Sequence, residues 1–202
     1  MKIKLVAAAL ATLSALSAAP IAGLFNTGQS TTGTADNYWT VVAPPGAAQV
    51  VTLSLIPNTW LPNTGSSSWV WVNADGQPIG TDLSPVVYTF RYSFNLDSAL
   101  DPSTVLITGR WATDNTGTQL RVNGNNTNQT SPGFSAWTGF TLNSGFVAGL
   151  NTIDFVVSDH GYLAGFRAEW LSASATATVP EPASLALTGA GLMALGILRR
   201  RS

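Results

Sequence analysis

The chain has 202 residues, of which 9% are charged and none is cysteine. That length suits one domain with terminal segments, and the missing thiols exclude a disulfide framework and thiolate catalysis. Between Asp36 and Glu169 only Arg91, Arg110, Arg121 and Arg167 oppose nine carboxylates, a balance near −5 that excludes a nucleic-acid-binding surface.

Residues 1–23 have the form of a secretory signal peptide. Lys2 and Lys4 make the positive start, residues 5–16 the apolar stretch, and small residues close it. Ala15-Leu16-Ser17 and Ser17-Ala18-Ala19 both satisfy the small-x-small rule for cleavage, so the bond lies somewhere between Ser17 and Gly23. The body is expected over residues 24–172. Residues 36–42 read as a first strand, broken by Pro44-Pro45-Gly46. Residues 50–56 alternate Val51, Leu53 and Leu55 with polar neighbours, the pattern of a half-buried strand. Residues 57–67 read as a long surface loop carrying Trp60, and residues 69–72 as a short strand.

The clearest strand spans 86–94, with Tyr88, Phe90, Tyr92 and Phe94 on one face and Thr89, Arg91 and Ser93 on the other. Residues 104–112 and 119–122 read as a hairpin across the turn 113–117. A polar loop over 123–133 leads to strands at 137–142, 151–157 and 165–171, the last with Phe166, Ala168 and Trp170 opposite Arg167 and Glu169. Residues 173–178 are small and read as a linker. Eight or nine short strands without a helical period predict an all-β fold, an antiparallel β-sandwich or jelly roll.

The last stretch has three parts in order. Val179-Pro180-Glu181-Pro182 is stiff, because each proline fixes φ and lacks an N–H. Residues 183–198 are uncharged and mostly apolar, about 16 residues against the rough 17–25 that span a bilayer. Arg199, Arg200 and Arg201 close the chain, can snorkel, and should stay on the cytoplasmic side. In this tripartite form, Val179-Pro180-Glu181-Pro182-Ala183-Ser184, then helix, then arginine triplet, the tail resembles a PEP-CTERM sorting signal of bacterial envelope proteins. The resemblance implies handling by exosortase, removal of the transmembrane helix near the motif, transient membrane anchoring, and delivery to the surface or an exopolysaccharide matrix.

The body, over roughly 36–172, is similar to ectodomains common in that family. The residues that carry the likeness are the segment Thr108-Gly109-Arg110-Trp111-Ala112-Thr113-Asp114-Asn115, the Val122-Asn123-Gly124 turn and the segment 145–157. The resemblance implies a galactose-binding-like sandwich, a class that often binds glycans.

Seven tryptophans are many for this length, and indole rings stack well on sugar faces. Trp60, Trp111, Asp114 and Asn115 are therefore the candidate glycan contacts, against the alternative that the rings pack the core and the Asp-Asn pair only shapes a turn. Asp114 and Asn115 could instead donate oxygens to calcium, although no EF-hand spacing occurs. His160 is the single histidine; with Asp159 and a serine it could form a hydrolytic site, and Glu169 is the single body glutamate. No G-x-S-x-G elbow and no His pair for zinc occur. The expectation is a non-enzymatic protein needing no cofactor or metal, with exosortase, the membrane and exopolysaccharide as partners. A dedicated carbohydrate-binding protein is the alternative, and a hydrolase a more distant one.

Overall fold

The structure, a computed structural model, describes residues 18–77 and 85–178. Most of the expected signal peptide (residues 1–17), the sorting motif Val179 to Pro182, the expected span 183–198 and Arg199, Arg200 and Arg201 lie outside the described residues. Among the described residues no helix is long and apolar enough to cross a membrane.

The alternating aromatic run forms β5 (Val86–Leu96). It pairs along its whole length with β10 (Gly149–Asp159), from Val86 opposite Asp159 to Leu96 opposite Gly149. On the far side of β10 lies β7 (Thr116–Val122), extended by β8 (Asn125–Asn126). Asn123 and Gly124 make the β7–β8 turn, both with positive φ (49° and 82°), a geometry that favours Asn-Gly. On the far side of β5 lies β2 (Ala35–Ala43), which returns through Pro44 into β3 (Pro45–Val50). β3 meets the two-residue β4 (Val70–Trp71), which meets β11 (Gly165–Thr176). β11 also carries β6 (Leu106–Asp114), and β6 carries β9 (Thr138–Leu142). β1 (Ala18–Pro20) lies on β11. All pairings are antiparallel, and the ladder is continuous in the order β8-β7-β10-β5-β2-β3-β4-β11-β6-β9.

This ladder folds over so that its two halves face each other. Phe155 of β10 meets Phe166 of β11 at 5.1 Å, Trp111 of β6 at 5.2 Å and Phe140 of β9 at 5.6 Å between ring centroids. Phe90 of β5 stacks on Phe166 at 4.7 Å, and Trp39 of β2 lies 5.9 Å from Trp170. Each such ring contributes about 1.5–3 kcal/mol through burial, and each well-placed pair about 0.5–1.5 kcal/mol more. The architecture is the all-β antiparallel sandwich. The expected faces of β5 and β11 hold: Tyr88, Phe90, Tyr92 and Phe94 are buried, as are Phe166 and Ala168, with Trp170 packed against the core.

Three local expectations are corrected. The strand expected over 50–56 ends at Val50, and Leu53–Leu55 is a 3-10 turn, because the Val51 and Thr52 N–H groups are taken by the carbonyls of Trp69 and Ala74. β6 and β7 are not a hairpin. They lie in opposite halves, and the chain crosses between the halves at Asn115. The expected linker is structured, because β11 continues to Thr176 between β1 and β6 and Ala177 bridges Leu100. Within the window left for leader cleavage, Ala18–Pro20 form β1 on β11 and Ile21 is buried.

Candidate functional site

One end of the sandwich gathers most of the chemistry-bearing loops. β6 ends there at Asp114 and passes through Asn115 to β7. β10 ends beside it at Asp159, and His160-Gly161-Tyr162 leads toward β11. The two loops are tied together, since the His160 backbone N–H donates to Asn115 Oδ1 at 2.8 Å. The Asp159 Oδ1 accepts from the Gly161 N–H at 3.2 Å. Asp114 is 8% exposed and Asp159 1%, and Asp114 Oδ1 and Asp159 Oδ2 are both buried without a hydrogen-bond partner.

Burial pushes the Asp114 carboxyl up to about 6; the Trp60 indole hydrogen bond works against this and the Asp159 charge adds to it. Burial also raises Asp159, opposed by the backbone N–H groups of Gly161 and His160 and by the His160 charge. His160 is exposed, and Tyr162, 77% exposed in the left-handed region (φ 65°), holds its ring in solvent. What this end turns to solvent is the Tyr162 ring and exposed His160, a stacking face and a polar group that a polyhydroxylated ligand can meet, while the two orphan oxygens lie beneath the surface. Calcium needs six to eight oxygens, and among the described residues no group of three His, Cys, Asp or Glu could hold a metal.

The outer face of β11 and β6 holds a second polar cluster. Glu169 accepts from Ser67 Oγ at 2.6 Å and from Arg110 Nε at 2.8 Å, and lies 3.6 Å from the Arg167 guanidinium. Arg167 donates in turn to Ser67 Oγ (2.7 Å), Thr64 Oγ1 (3.1 Å) and the Pro62 carbonyl. Trp137 takes Arg110 at 4.6 Å and Arg167 at 4.7 Å over its ring. Burial raises Glu169, but Ser67, Arg110 and Arg167 outweigh it, so its carboxyl sits below the ordinary range. Burial lowers Arg167 to about 10, helped by the Arg110 charge and opposed by Glu169. This cluster fastens the 57–67 loop over the sheet. The spacing of Arg167 and Glu169 hints at a shared face, but only the folded loop reveals that the face is covered.

The candidate glycan contacts separate. Trp60 is 5% exposed, packs on Trp69 at 4.5 Å and lies across Gly165, where a Cβ would come within 2.6 Å of its ring. Trp111 is 0% exposed, with its Nε1 unpartnered. Neither ring face is free for a sugar, because both serve packing. Asp114 and Asn115 do come together at the loop end, joined by Asp159 and His160 from β10 and its following turn, which also carries exposed Tyr162. A lone tyrosine in a Gly-containing turn, as Tyr162 is, has no sequence signature.

For the hydrolytic alternative, no hydrogen bond among the described residues joins the His160 ring to a hydroxyl, and Asp159 spends Oδ1 on its own turn. Glu169 is occupied by Ser67, Arg110 and Arg167.

No curated protein matches the chain. Among solved structures, the sandwich is similar to a CBM35 from Paenibacillus barcinonensis, with 20% identity, TM-score 0.38, and coverage of 71% of this chain and 99% of that one. It is also similar to a family 35 carbohydrate binding module from Clostridium thermocellum, with 14% identity, TM-score 0.36, and coverage of 67% of this chain and 93% of that one. At these TM-scores the likeness carries no functional argument. The family model for the PEP-CTERM protein-sorting motif matches residues 178–201. The chain thus carries a PEP-CTERM protein-sorting motif at its C-terminus.

Proposed function

We propose that the protein is an exported, non-catalytic envelope module, held at the inner membrane by its C-terminal segment and processed there by exosortase before reaching the surface or matrix. The observation that carries this is the sorting-motif match over residues 178–201, in which a proline-stiffened handle precedes an apolar run and three terminal arginines. The geometry is compatible, because the sandwich ends in a firm anchor point beside its own N-terminus. Ala18 pairs with Thr176, and the Thr178 N–H donates to the Ala99 carbonyl at 2.7 Å. A substituted handle (Pro180→Ala with Glu181→Ala and Pro182→Ala) tests the reading by fractionation. The variant should stay in the membrane fraction with Arg201 attached; distribution like that of the unaltered chain would overturn it.

Glycan association is the second reading, and the loop end favours it. Exposed Tyr162 and exposed His160, in the turn that follows Asp159 and is bonded to Asn115, offer a stacking face and a polar group together. On this reading exopolysaccharide is the ligand class, met at the end of β11 opposite the one from which the tail leaves.

A further inference from the structure

We propose that the mature chain begins at Ala18, the leader being removed at the Ser17–Ala18 bond. The proposal rests on the export reading above and assigns its first processing site. Cleavage after Ser17, after Ala19 or as late as Gly23 would leave different molecules, and the fold distinguishes them.

Ala18, Ala19 and Pro20 lie antiparallel to the end of β11, opposite Thr176, Ala175 and Ser174. Ile21 follows them into the core, and its N–H donates to the Ala173 carbonyl at 3.0 Å. The Gly23 carbonyl accepts the Tyr92 hydroxyl at 2.6 Å, and that hydroxyl accepts the Phe25 N–H at 3.0 Å. Pro20 suits an edge strand, where its missing N–H costs no ladder bond.

A cut after Ala19 would delete two of the three β1 pairs and make Pro20 the new terminus. A cut after Gly23 would strip the whole of β1 and Ile21, uncover buried Ala175, and bare the backbone edge of β11 over 173–176. A cut after Ser17 removes none of these contacts. It also uses Ala15-Leu16-Ser17, a good small-x-small triplet.

The topology also orders the events. The partner of β1 is the final stretch of β11, the last part of the body to cross the membrane. Ala18, Ala19 and Pro20 therefore lack their partner strand until the end of β11 has crossed. The β1–β11 ladder closes only afterwards.

The experiment is intact-mass measurement and N-terminal sequencing of the full-length gene product recovered from outside the cytosol. The expected terminus is Ala18. A terminus at Pro20, or at any residue up to Leu24, would overturn the proposal while leaving export standing. An exported chain that keeps Met1 would also overturn it. A chain that keeps Met1 and stays in the cytosol would sink the export reading, and this inference with it.

Discussion

Replacing Asp114 with asparagine should stabilise the protein at neutral pH, a counterintuitive result for a residue in a candidate binding end. The carboxyl is carried from 3.8 to about 6 by burial first, with Asp159 adding to the effect. A raised carboxylate pKa means that the folded state favours the protonated form. The penalty is therefore absent well below pH 3.8, grows as pH rises from there through about 6, and is complete above it. Such a displacement corresponds to at most about 3 kcal/mol, and water reaching the loop end reduces this to roughly 1–2 kcal/mol. The substituted side chain carries no charge, and its amide would bring a donor to a site where Asp159 Oδ2 lacks one. Urea unfolding of the processed protein, followed by tryptophan fluorescence at pH 4 and pH 8, measures this. D114N should exceed the unaltered protein at pH 8 and match it near pH 4, so the gap between the two should close on acidification. A D114N that is less stable at pH 8 would refute the reasoning. If that loss required added calcium and vanished with chelator, the orphan oxygens would be metal ligands instead.

Other substitutions test the remaining parts of the account. Gly109→Ala should cost about 2–4 kcal/mol, because its Cβ would fall 2.2 Å from Phe140 Cζ and 2.5 Å from the Glu169 carbonyl oxygen; thermal unfolding reads it, and unchanged stability would contradict the packing described. Glu169→Ala should cost roughly 3–5 kcal/mol by leaving Arg167 buried without its carboxylate, and a denaturation midpoint like that of the unaltered protein would show the cluster to be dispensable. Tyr162→Ala should leave the unfolding midpoint unchanged yet weaken retention on exopolysaccharide several-fold, whereas equal retention would remove the loop end as a glycan surface.

The sandwich was legible where alternation alone decides. Tyr88, Phe90, Tyr92 and Phe94 face the core because a strand buried on one side must place every second residue there. Pairing was less legible, since partners are chosen by the whole fold. The Asp-Asn-Thr-Gly run after Thr113 mimics a hairpin turn locally, yet β6 and β7 are each claimed by strands in opposite halves. Small residues in 172–176 resemble a linker in composition but fit a strand enclosed between β1 and β6. Trp60 looked like a surface ring because its neighbours are Pro and Asn; its burial depends on Gly165, a residue far along the chain, leaving room beneath it. The Asp114–Asp159 juxtaposition is likewise spatial. The terminal motif, by contrast, is contiguous, so its three parts could be read directly.

The export reading depends above all on the fate of the C-terminus. The most direct measurement is the intact mass of the protein outside the cell, compared between cells with and without exosortase. With the protease, the mature chain should lack the apolar run 183–198 and Arg199, Arg200 and Arg201; without it, the chain should remain in the membrane fraction and keep them. An extracellular protein that still ends at Ser202, or identical C-terminal masses from the two strains, would contradict the account.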